Sequence, residues 1–422
     1  MRIAKARLVN PDHNLWYGLV AVAVSMFVFA YSTRFGQVSI LAYYGLWLPL
    51  VVVDHRRVLG NYPQFGWIVA FAAFACLSVF WSAAPGVTAR AAVQFASHVV
   101  CALIAARTVN VRTLTLGALA GVCLVLLYSL LFGEHHVDPL DGSYSFVGAF
   151  PSKNQLGLFS SLGLYFAFAA IVVLGERGMA RLLALACGGM SAWMLAASHS
   201  ATSVVSLALV VAVLVCLKVA LLFSPRMRKV GLLAATVLAA GAVFVGLNLG
   251  GLDLLLAAFG KDSTLTGRTY LWSQGWRAAA QAPIVGVGYQ AYWVQGFSEA
   301  ERLWEEFYIG SRGGFHFHNT IIEVLVELGA VGVVLVLVVL LRVFAGHLRR
   351  LVGDPWNPTS LVLFGIAAML LVRAFVEVDV INPYVVGSFL LYYAAGRLAA
   401  PRDAPAAAAG AQPLGMQTSR AA

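Results

Sequence analysis

Apolar runs recur along almost the whole of this chain, many of them close to the roughly 20 residues that one α-helix needs to cross the hydrocarbon of a bilayer. Hydrophobic residues make up 61% of the 422-residue sequence and charged residues only 11%. A water-soluble chain of this size needs far less apolar surface. The sequence therefore predicts an all-α polytopic membrane protein.

Hydropathy predicts about twelve transmembrane helices. Their expected limits are residues 16–31, 37–53, 65–81, 91–106, 113–132, 154–174, 181–197, 201–223, 230–249, 319–341, 359–373 and 380–397. The chain is thereby divided into helices 1–9 within residues 1–249, a large loop over residues 250–318, and helices 10–12 within residues 319–400. The tail, residues 401–422, is rich in Ala, Gly and Pro, and we expect it to be disordered.

The distribution of Lys and Arg predicts the orientation. An even number of spans puts both termini on one side, and most of the 28 basic residues fall in segments on that side. Because basic loop residues are held in the cytoplasm during insertion, both termini are expected to be cytoplasmic and the large loop to lie outside. The net charge of +10 is then a topology signal, and no nucleic-acid partner is expected.

The large loop contains two amphipathic helical patterns. The first starts near Thr266, a possible N-cap, and Pro283 closes it. The second starts at Ser298, the expected cap. Its apolar side chains, expected to face the bilayer interface, are Leu303, Trp304, Phe307 and Tyr308. We therefore expect a lid of interfacial helices.

Three short motifs lie on the loop side of the predicted membrane. They are FPSKNQLG at 150–157, GR at 267–268 with the following W..GW.....AP..GVGYQAY, and HFHN.......E.GAVG at 316–332. Their order and their side of the membrane resemble the O-antigen ligase and polymerase superfamily of envelope glycan enzymes. The resemblance extends to the whole predicted arrangement of twelve transmembrane helices with one large loop before the tenth. It implies a GT-C-like fold in the bacterial inner membrane, with the active site facing the periplasm.

The reaction implied by the resemblance is that of an O-antigen ligase in lipopolysaccharide biosynthesis. The donor would be O-antigen linked to undecaprenyl pyrophosphate, and the acceptor a sugar hydroxyl of lipid A-core. An O-antigen polymerase, which uses a second lipid-linked glycan as acceptor, and a protein O-oligosaccharyltransferase are the alternatives within the superfamily. Outside it, the alternative is a lipid-linked glycan transporter, although the two halves of the chain show no repeat.

Such a transfer must remove a proton from the acceptor hydroxyl and stabilise the departing pyrophosphate. His318 suits the first need, since an imidazole with an ordinary pKa of about 6.5 accepts a proton at neutral pH. Arg268 suits the second, because a guanidinium presents a fixed fork of donors to phosphate oxygens. The sequence contains no nucleotide-binding or metal-binding motif, so we expect an inverting transfer without a cofactor or metal.

Further residues are candidates for substrate binding. They are Lys153, Asn154, His199, Arg277, Arg312, His316, Asn319 and Glu323. Lys153 and Asn154 match the family's KN motif, and Asn319 either caps helix ten or orients His318. His199 lies where many superfamily members carry an arginine, so either His199 or another cation, such as Arg312 or Arg373, would replace it.

Several acidic residues remain open to two interpretations. Glu323 and Glu327 lie four residues apart on one face of helix ten, where they could hold a cationic side chain or serve packing. Arg373 is followed by Glu377 and Asp379, and here a structural ion pair is favoured because charges near membrane spans are normally paired.

Overall fold

The computed structural model describes residues 4–60, 62–137, 142, 144–248, 267–312 and 314–399. Within these residues the α-helices are α1 Ala6–Val9, α2 Leu15–Trp47, α3 Pro49–Leu59, α4 Gly66–Leu77, α5 Pro85–Thr108, α6 Val111–Phe132, α7 Lys153–Phe168, α8 Gly178–Ala197, α9 Ala201–Leu221, α10 Pro225–Asn248, α11 Arg268–Ala279, α12 Ser298–Glu306, α13 Thr320–Gly353, α14 Pro358–Arg373 and α15 Val386–Ala399. Thr266 and the tail over residues 401–422, both named in the sequence analysis, lie outside the described residues.

Seven of the described helices are long and apolar enough to cross a membrane. They are α2, α5, α6, α7 with the π-helical turn Ala169–Val173, α8, α9 and α13. The apolar helices α4, with the 3-10 turn that follows it, and α14 are shorter. The helical polytopic class is therefore supported, and a helix lies at each expected span. The count of twelve transmembrane helices stays a prediction.

α2 accounts for the first expected span and most of the second, which continues into α3, because α2 folds back on itself. Its backbone leaves the helical conformation at Tyr31 and again at Gly36, where φ is 58°. The ring centroids of Phe29 and Tyr43 are 5.3 Å apart. In a straight helix, two residues as far apart in sequence as Phe29 and Tyr43 would lie about 20 Å apart. The two halves of α2 therefore run antiparallel.

A β-hairpin follows α6, which the all-α prediction did not include. Strand β1, Glu134–Val137, pairs antiparallel with β2, Tyr144–Gly148. Phe146 and Val147 of β2 are buried, whereas β1 is exposed along its length. The hairpin leads directly into the turn before α7.

The lid consists of α11, α12 and the connecting residues 280–297, and it packs around its own apolar core. Leu303 and Trp304 are 0% and 1% exposed, and Phe307 is also buried. The expectation that these three face the bilayer is wrong, because α12 turns them onto α11 and onto residues 315–317. Tyr308 is 72% exposed, so it remains available to the interface.

The start of α12 also differs from the expectation. Ser298 is the first helical residue, and Phe297 occupies the N-cap position without a side-chain hydrogen bond. Two acidic residues in the first turn, Glu299 and Glu301, supply negative charge at this helix N-terminus instead.

The lid is joined to α13 where that helix breaks. Gly329 has φ of 63° and ψ of −168°. Beside it, the Ala330 amide donates to the Pro283 carbonyl at 2.9 Å and the Gly288 amide donates to the Glu327 carbonyl at 2.8 Å. Backbone pairing on both sides of the break therefore fixes the lid against the first turns of α13.

Replacing Gly329 with alanine is expected to weaken this junction strongly. A Cβ atom there would lie 2.2 Å from the Ile284 carbonyl carbon. The backbone conformation costs a non-glycine residue about 1–3 kcal/mol, and overpacking adds about 1–3 kcal/mol. The measurement is the melting temperature of the purified protein. Gly36→Ala is the control, since its φ is also positive but a Cβ would meet no atom within 4 Å. Equal losses in the two variants would contradict the close approach.

Candidate functional site

The candidate site is built around the carboxylate of Glu377, which lies between α14 and α15 and is 5% exposed. Its Oε1 accepts hydrogen bonds from Arg268 Nη2 at 2.8 Å and from Asn154 Nδ2 at 2.9 Å. Its Oε2 lies 3.2 Å from His318 Nδ1. Residues from α7, α11, the segment before α13 and the segment after α14 thus meet at one side chain. Three of them were candidates from the sequence alone.

Two helix N-termini bring Arg268 and Asn154 to this carboxylate. Arg268 is the first residue of α11, preceded by Gly267 with φ of 80°. Its Nη1 also donates to the Val376 carbonyl at 2.7 Å, so the guanidinium joins the lid to the segment that carries Glu377. Asn154 is the second residue of α7, and its Oδ1 accepts from Ser200 Oγ at 2.9 Å. Both donors are therefore held in place from two directions.

Asn319 fixes the start of α13 immediately after His318. Its Oδ1 accepts from the backbone amides of Ile321 and Ile322 at 2.9 and 3.1 Å. Its Nδ2 donates to the Phe375 carbonyl at 2.9 Å. Of the two interpretations of Asn319, the structure shows the cap. The cap also ties the histidine segment to the residues just before Glu377.

Glu323 lies behind the histidine segment. Its Oε2 accepts from the Phe317 amide at 2.8 Å and its Oε1 from Trp293 Nε1 at 2.9 Å. Trp272 Nε1 donates to the Phe317 carbonyl at 2.9 Å. Both carboxylate oxygens of Glu323 are thus engaged in holding the residue before His318 against the lid. The structure thus shows Glu323 holding the histidine segment, and its predicted contact with substrate stays a prediction.

His316 supports the conformation of His318. His318 has a positive φ of 51°, and its backbone amide donates to His316 Nδ1 at 3.1 Å. Desolvation, together with the nearby His318 and Arg268, lowers the pKa of His316 to about 3. A neutral His316 can keep accepting this hydrogen bond throughout the physiological range.

One group of side chains in the site has the composition of a metal site. The potential ligand atoms of His316, His318 and Glu377 all lie within 4.8 Å of one another. Glu377, however, already accepts hydrogen bonds from Arg268 and Asn154. A cation there would have to compete with the guanidinium for the same carboxylate, so these residues fit a guanidinium-paired site better than a metal site.

Lys153 and His199 lie beside the site. Lys153 is the first residue of α7, adjacent to Asn154. His199 is exposed in the turn between α8 and α9, with φ of 48°, and precedes the Ser200 that contacts Asn154. Both residues could reach a substrate that covers Asn154.

Arg277 and Arg312 are not brought to Glu377. Arg277 is exposed in the last turn of α11, at the end opposite Arg268. Arg312 pairs with Glu301 of α12 at 3.2 Å. Arg277 thus lies on the surface of the lid, and Arg312 lies just after the lid and is paired with it.

The expected ion pair at Arg373 forms with Asp379. Arg373 is 2% exposed and its Nη1 also lies 3.4 Å from Ser203 Oγ. Glu377 is consequently left for the candidate site, a role that the sequence analysis did not predict. The only sequence signal was an acidic residue just beyond an apolar helix on the loop side, and that signal was equally consistent with pairing to Arg373.

Glu377 is expected to stabilise the fold at neutral pH through its ionised form. Burial alone would raise the pKa of its carboxyl, but His318, Arg268 and Arg373 hold it well below its ordinary value of 4.5. A lowered folded-state pKa gives stability that is fully present above 4.5 and is lost as the pH falls through the folded-state value. Glu377→Gln should therefore lower the melting temperature at neutral pH, and by less below pH 4.5. A difference as large below pH 4.5 as at neutral pH would contradict the assignment.

Sequence comparisons agree with this architecture. The chain belongs to the O-antigen ligase and polymerase superfamily, and residues 163–337 match the family described as O-antigen ligase. It is 60% identical over 407 residues to a protein of Rhizobium meliloti (strain 1021) named exopolysaccharide production protein ExoQ. The similarity covers 96% of this chain and 94% of that relative. The resemblance inferred from the three motifs is thereby confirmed.

The family match covers only part of the site. It includes Arg268 and His318, whereas Asn154 precedes it and Glu377 follows it. The complete cluster is therefore visible only in the folded chain.

Proposed function

We propose that this protein transfers a glycan from undecaprenyl pyrophosphate to a sugar hydroxyl at the periplasmic face of the bacterial inner membrane. The observation that carries the proposal is the contact of His318, Arg268 and Asn154 with the single carboxylate of Glu377. Family membership supports a glycan-joining enzyme with lipid-linked polysaccharide substrates.

His318 acts as the general base. An ionised carboxylate only accepts hydrogen bonds, so the proton between Glu377 Oε2 and His318 resides on Nδ1. This tautomer leaves the lone pair on Nε2 to take the proton of the acceptor hydroxyl. Glu377 then stabilises the imidazolium that forms, as a carboxylate does for a histidine base in other enzymes.

Arg268 and Lys153 stabilise the leaving group. Each is the first residue of a helix, α11 and α7 respectively, and free backbone amides at helix N-termini favour anions. The acceptor oxygen attacks the anomeric carbon from the face opposite the phosphate. The bond from that carbon to the phosphate oxygen breaks, and its electron pair leaves with undecaprenyl pyrophosphate. The reaction inverts the anomeric configuration, and the guanidinium supplies the positive charge without a metal.

The acceptor of the glycan distinguishes a polymerase from a ligase, and we favour a polymerase, which lengthens a lipid-linked glycan. The relative that covers almost the whole chain is named for exopolysaccharide production, which suits an acceptor that is itself a lipid-linked glycan. The second candidate is transfer of O-antigen to lipid A-core, because residues 163–337 match the family described as O-antigen ligase.

Purified protein would distinguish these acceptors. It is supplied with an undecaprenyl pyrophosphate-linked glycan, EDTA, and either a second lipid-linked glycan or lipid A-core. Longer lipid-linked chains would establish a polymerase, and glycan attached to lipid A-core would establish a ligase. Movement of the lipid-linked glycan across vesicles without a new glycosidic bond would overturn the enzyme proposal in favour of a transporter.

A further inference from the structure

A cavity of about 280 Å³ opens next to Pro151, three residues before Asn154 of the candidate site along the chain. It is bounded by the bend of α2, the end of α6, the β-hairpin and the turn before α7. Its volume is close to the lower limit of small-molecule pockets, about 300 Å³. The reaction described above uses none of the residues that line it.

The walls of the cavity are aromatic and mostly fixed in place. The ring centroids of Tyr31 and Phe150 are 5.1 Å apart, and both side chains are buried. The Tyr31 hydroxyl is held by the Val125 carbonyl at 2.9 Å and by Ser129 Oγ at 2.7 Å. Phe132 forms an open wall and is 53% exposed. Tyr31 and Phe150 therefore form a covered floor, and the exposed ring of Phe132 is the surface that suits the C–H face of a pyranose ring.

The rim of the cavity is polar and charged. Arg34, Glu134 and His136 line it and are exposed. The Arg34 guanidinium lies 5.5 Å from the centre of the Tyr128 ring, and Glu134 Oε2 lies 3.5 Å from His136 Nε2. Guanidinium, carboxylate and imidazole together can donate to and accept from the vicinal hydroxyls of a sugar. An exposed aromatic ring beside a few convergent polar groups fits a small binding pocket, large enough for one sugar ring.

The cavity is connected to the candidate site through the chain itself. Pro151 lines the cavity, and Asn154 follows it three residues later. Three residues span at most about 11 Å. The wall is also tied to α7, because Phe150 stacks on Phe159 at 5.3 Å. A short oligosaccharide whose end lies at Asn154 and Glu377 would reach the cavity.

We propose that this cavity is a glycan subsite that holds one sugar ring of the substrate a few units from the reacting end. This inference rests on the proposed function. The ring would lie against the exposed side chain of Phe132, with its hydroxyls on Arg34, Glu134 and His136. Both the donor and the acceptor glycan have such rings and hydroxyls, so either could occupy the cavity.

Binding of a lipid-free glycan tests the subsite directly. The probe is an oligosaccharide of two repeat units, prepared from the envelope polysaccharide of the host and titrated against full-length protein in nanodiscs. Phe132→Ala and Arg34→Gln should each raise the Kd about fivefold or more, the effect of losing one contact that contributes about 1 kcal/mol. Leu131→Ala is the matched control, since Leu131 is the neighbour of Phe132, is 75% exposed and does not line the cavity. Equal Kd values in all four proteins, or no binding to the wild type, would overturn the proposal.

The same variants separate the subsite from the proposed reaction and identify its occupant. In the transfer assay, Phe132→Ala should raise the KM of the long-glycan substrate that occupies the cavity, whether donor or acceptor, and leave the KM of the other unchanged. If His318→Ala loses glycan transfer while Phe132→Ala binds the oligosaccharide as the wild type does, the subsite would be wrong and the proposed reaction would stand. If the wild type transfers no glycan but Phe132→Ala still binds the oligosaccharide more weakly than the wild type, the subsite would stand and the proposed reaction would be wrong.

Discussion

Replacing His318 with alanine is expected to lower the rate of glycan transfer about 10²- to 10⁴-fold, the usual contribution of a positioned general base. Its Nδ1 is engaged with Glu377 at 3.2 Å, so Nε2 is the atom that faces the acceptor in the proposed reaction. Alanine removes that atom and leaves Glu377 with its contacts to Arg268 and Asn154. The measurement is the initial rate of transfer by purified variant and wild type at equal concentration.

His316→Ala provides the comparison for this variant. His316 accepts a hydrogen bond from the His318 backbone and is assigned no proton transfer. Its loss should therefore lower the rate only partially. A rate for His318→Ala within about threefold of the wild type would exclude the role of a general base, since that role contributes at least about 10²-fold.

Replacing Arg268 with alanine is expected to cost roughly 3–4 kcal/mol of transition-state stabilisation, the size seen when one preorganised donor to a developing negative charge is removed. The side chain is 14% exposed, so its charge is poorly screened by water. The measurement is kcat with the lipid pyrophosphate donor at saturation. The expected loss appears in kcat because the charge on the leaving pyrophosphate grows only as the bond breaks.

Two variants separate the charge of Arg268 from its structural contacts. Arg268→Lys keeps the charge but loses the fork that reaches the Val376 carbonyl and Glu377 at once, so its kcat should be intermediate. Arg302→Ala removes an ion pair with Glu306 and the hydrogen bonds to Tyr270 and Gln274 of α11, so it controls for loosening of the lid and should lower kcat much less than Arg268→Ala. If kcat and the melting temperature fall together in Arg268→Ala and recover together in Arg268→Lys, the role is positioning through Glu377.

Local sequence patterns predicted the helices, one helix cap and most residues of the candidate site. Apolar run length placed a helix at every expected span, and capping chemistry at Asn319 marked the start of α13. The motifs also identified His318, Arg268 and Asn154, which meet in the folded chain. Their meeting point, Glu377, was missed because partner choice depends on contacts between residues as far apart as 154 and 377. Arg373 has two acidic residues close by in sequence, and only the fold decides between them.

The lid illustrates a second limit. The apolar stripe of α12 was correctly recognised, but a stripe that can face lipid can equally face another helix. In the structure Leu303 and Trp304 pack against the rest of the lid. The β-hairpin was missed for a similar reason, since β1 is exposed on both faces and lacks a clear alternation of apolar residues.

The most direct test of the central claim is to count two products of one reaction. Purified protein receives an undecaprenyl pyrophosphate-linked glycan and its acceptor in the presence of EDTA, and both the released undecaprenyl pyrophosphate and the new glycosidic bonds are quantified. The wild type should release one lipid pyrophosphate for each bond formed, with inverted anomeric configuration, and His318→Ala should form neither product at a comparable rate. Equal yields from His318→Ala, or lipid pyrophosphate released without a new glycosidic bond, would contradict the assignment of this site to glycan transfer.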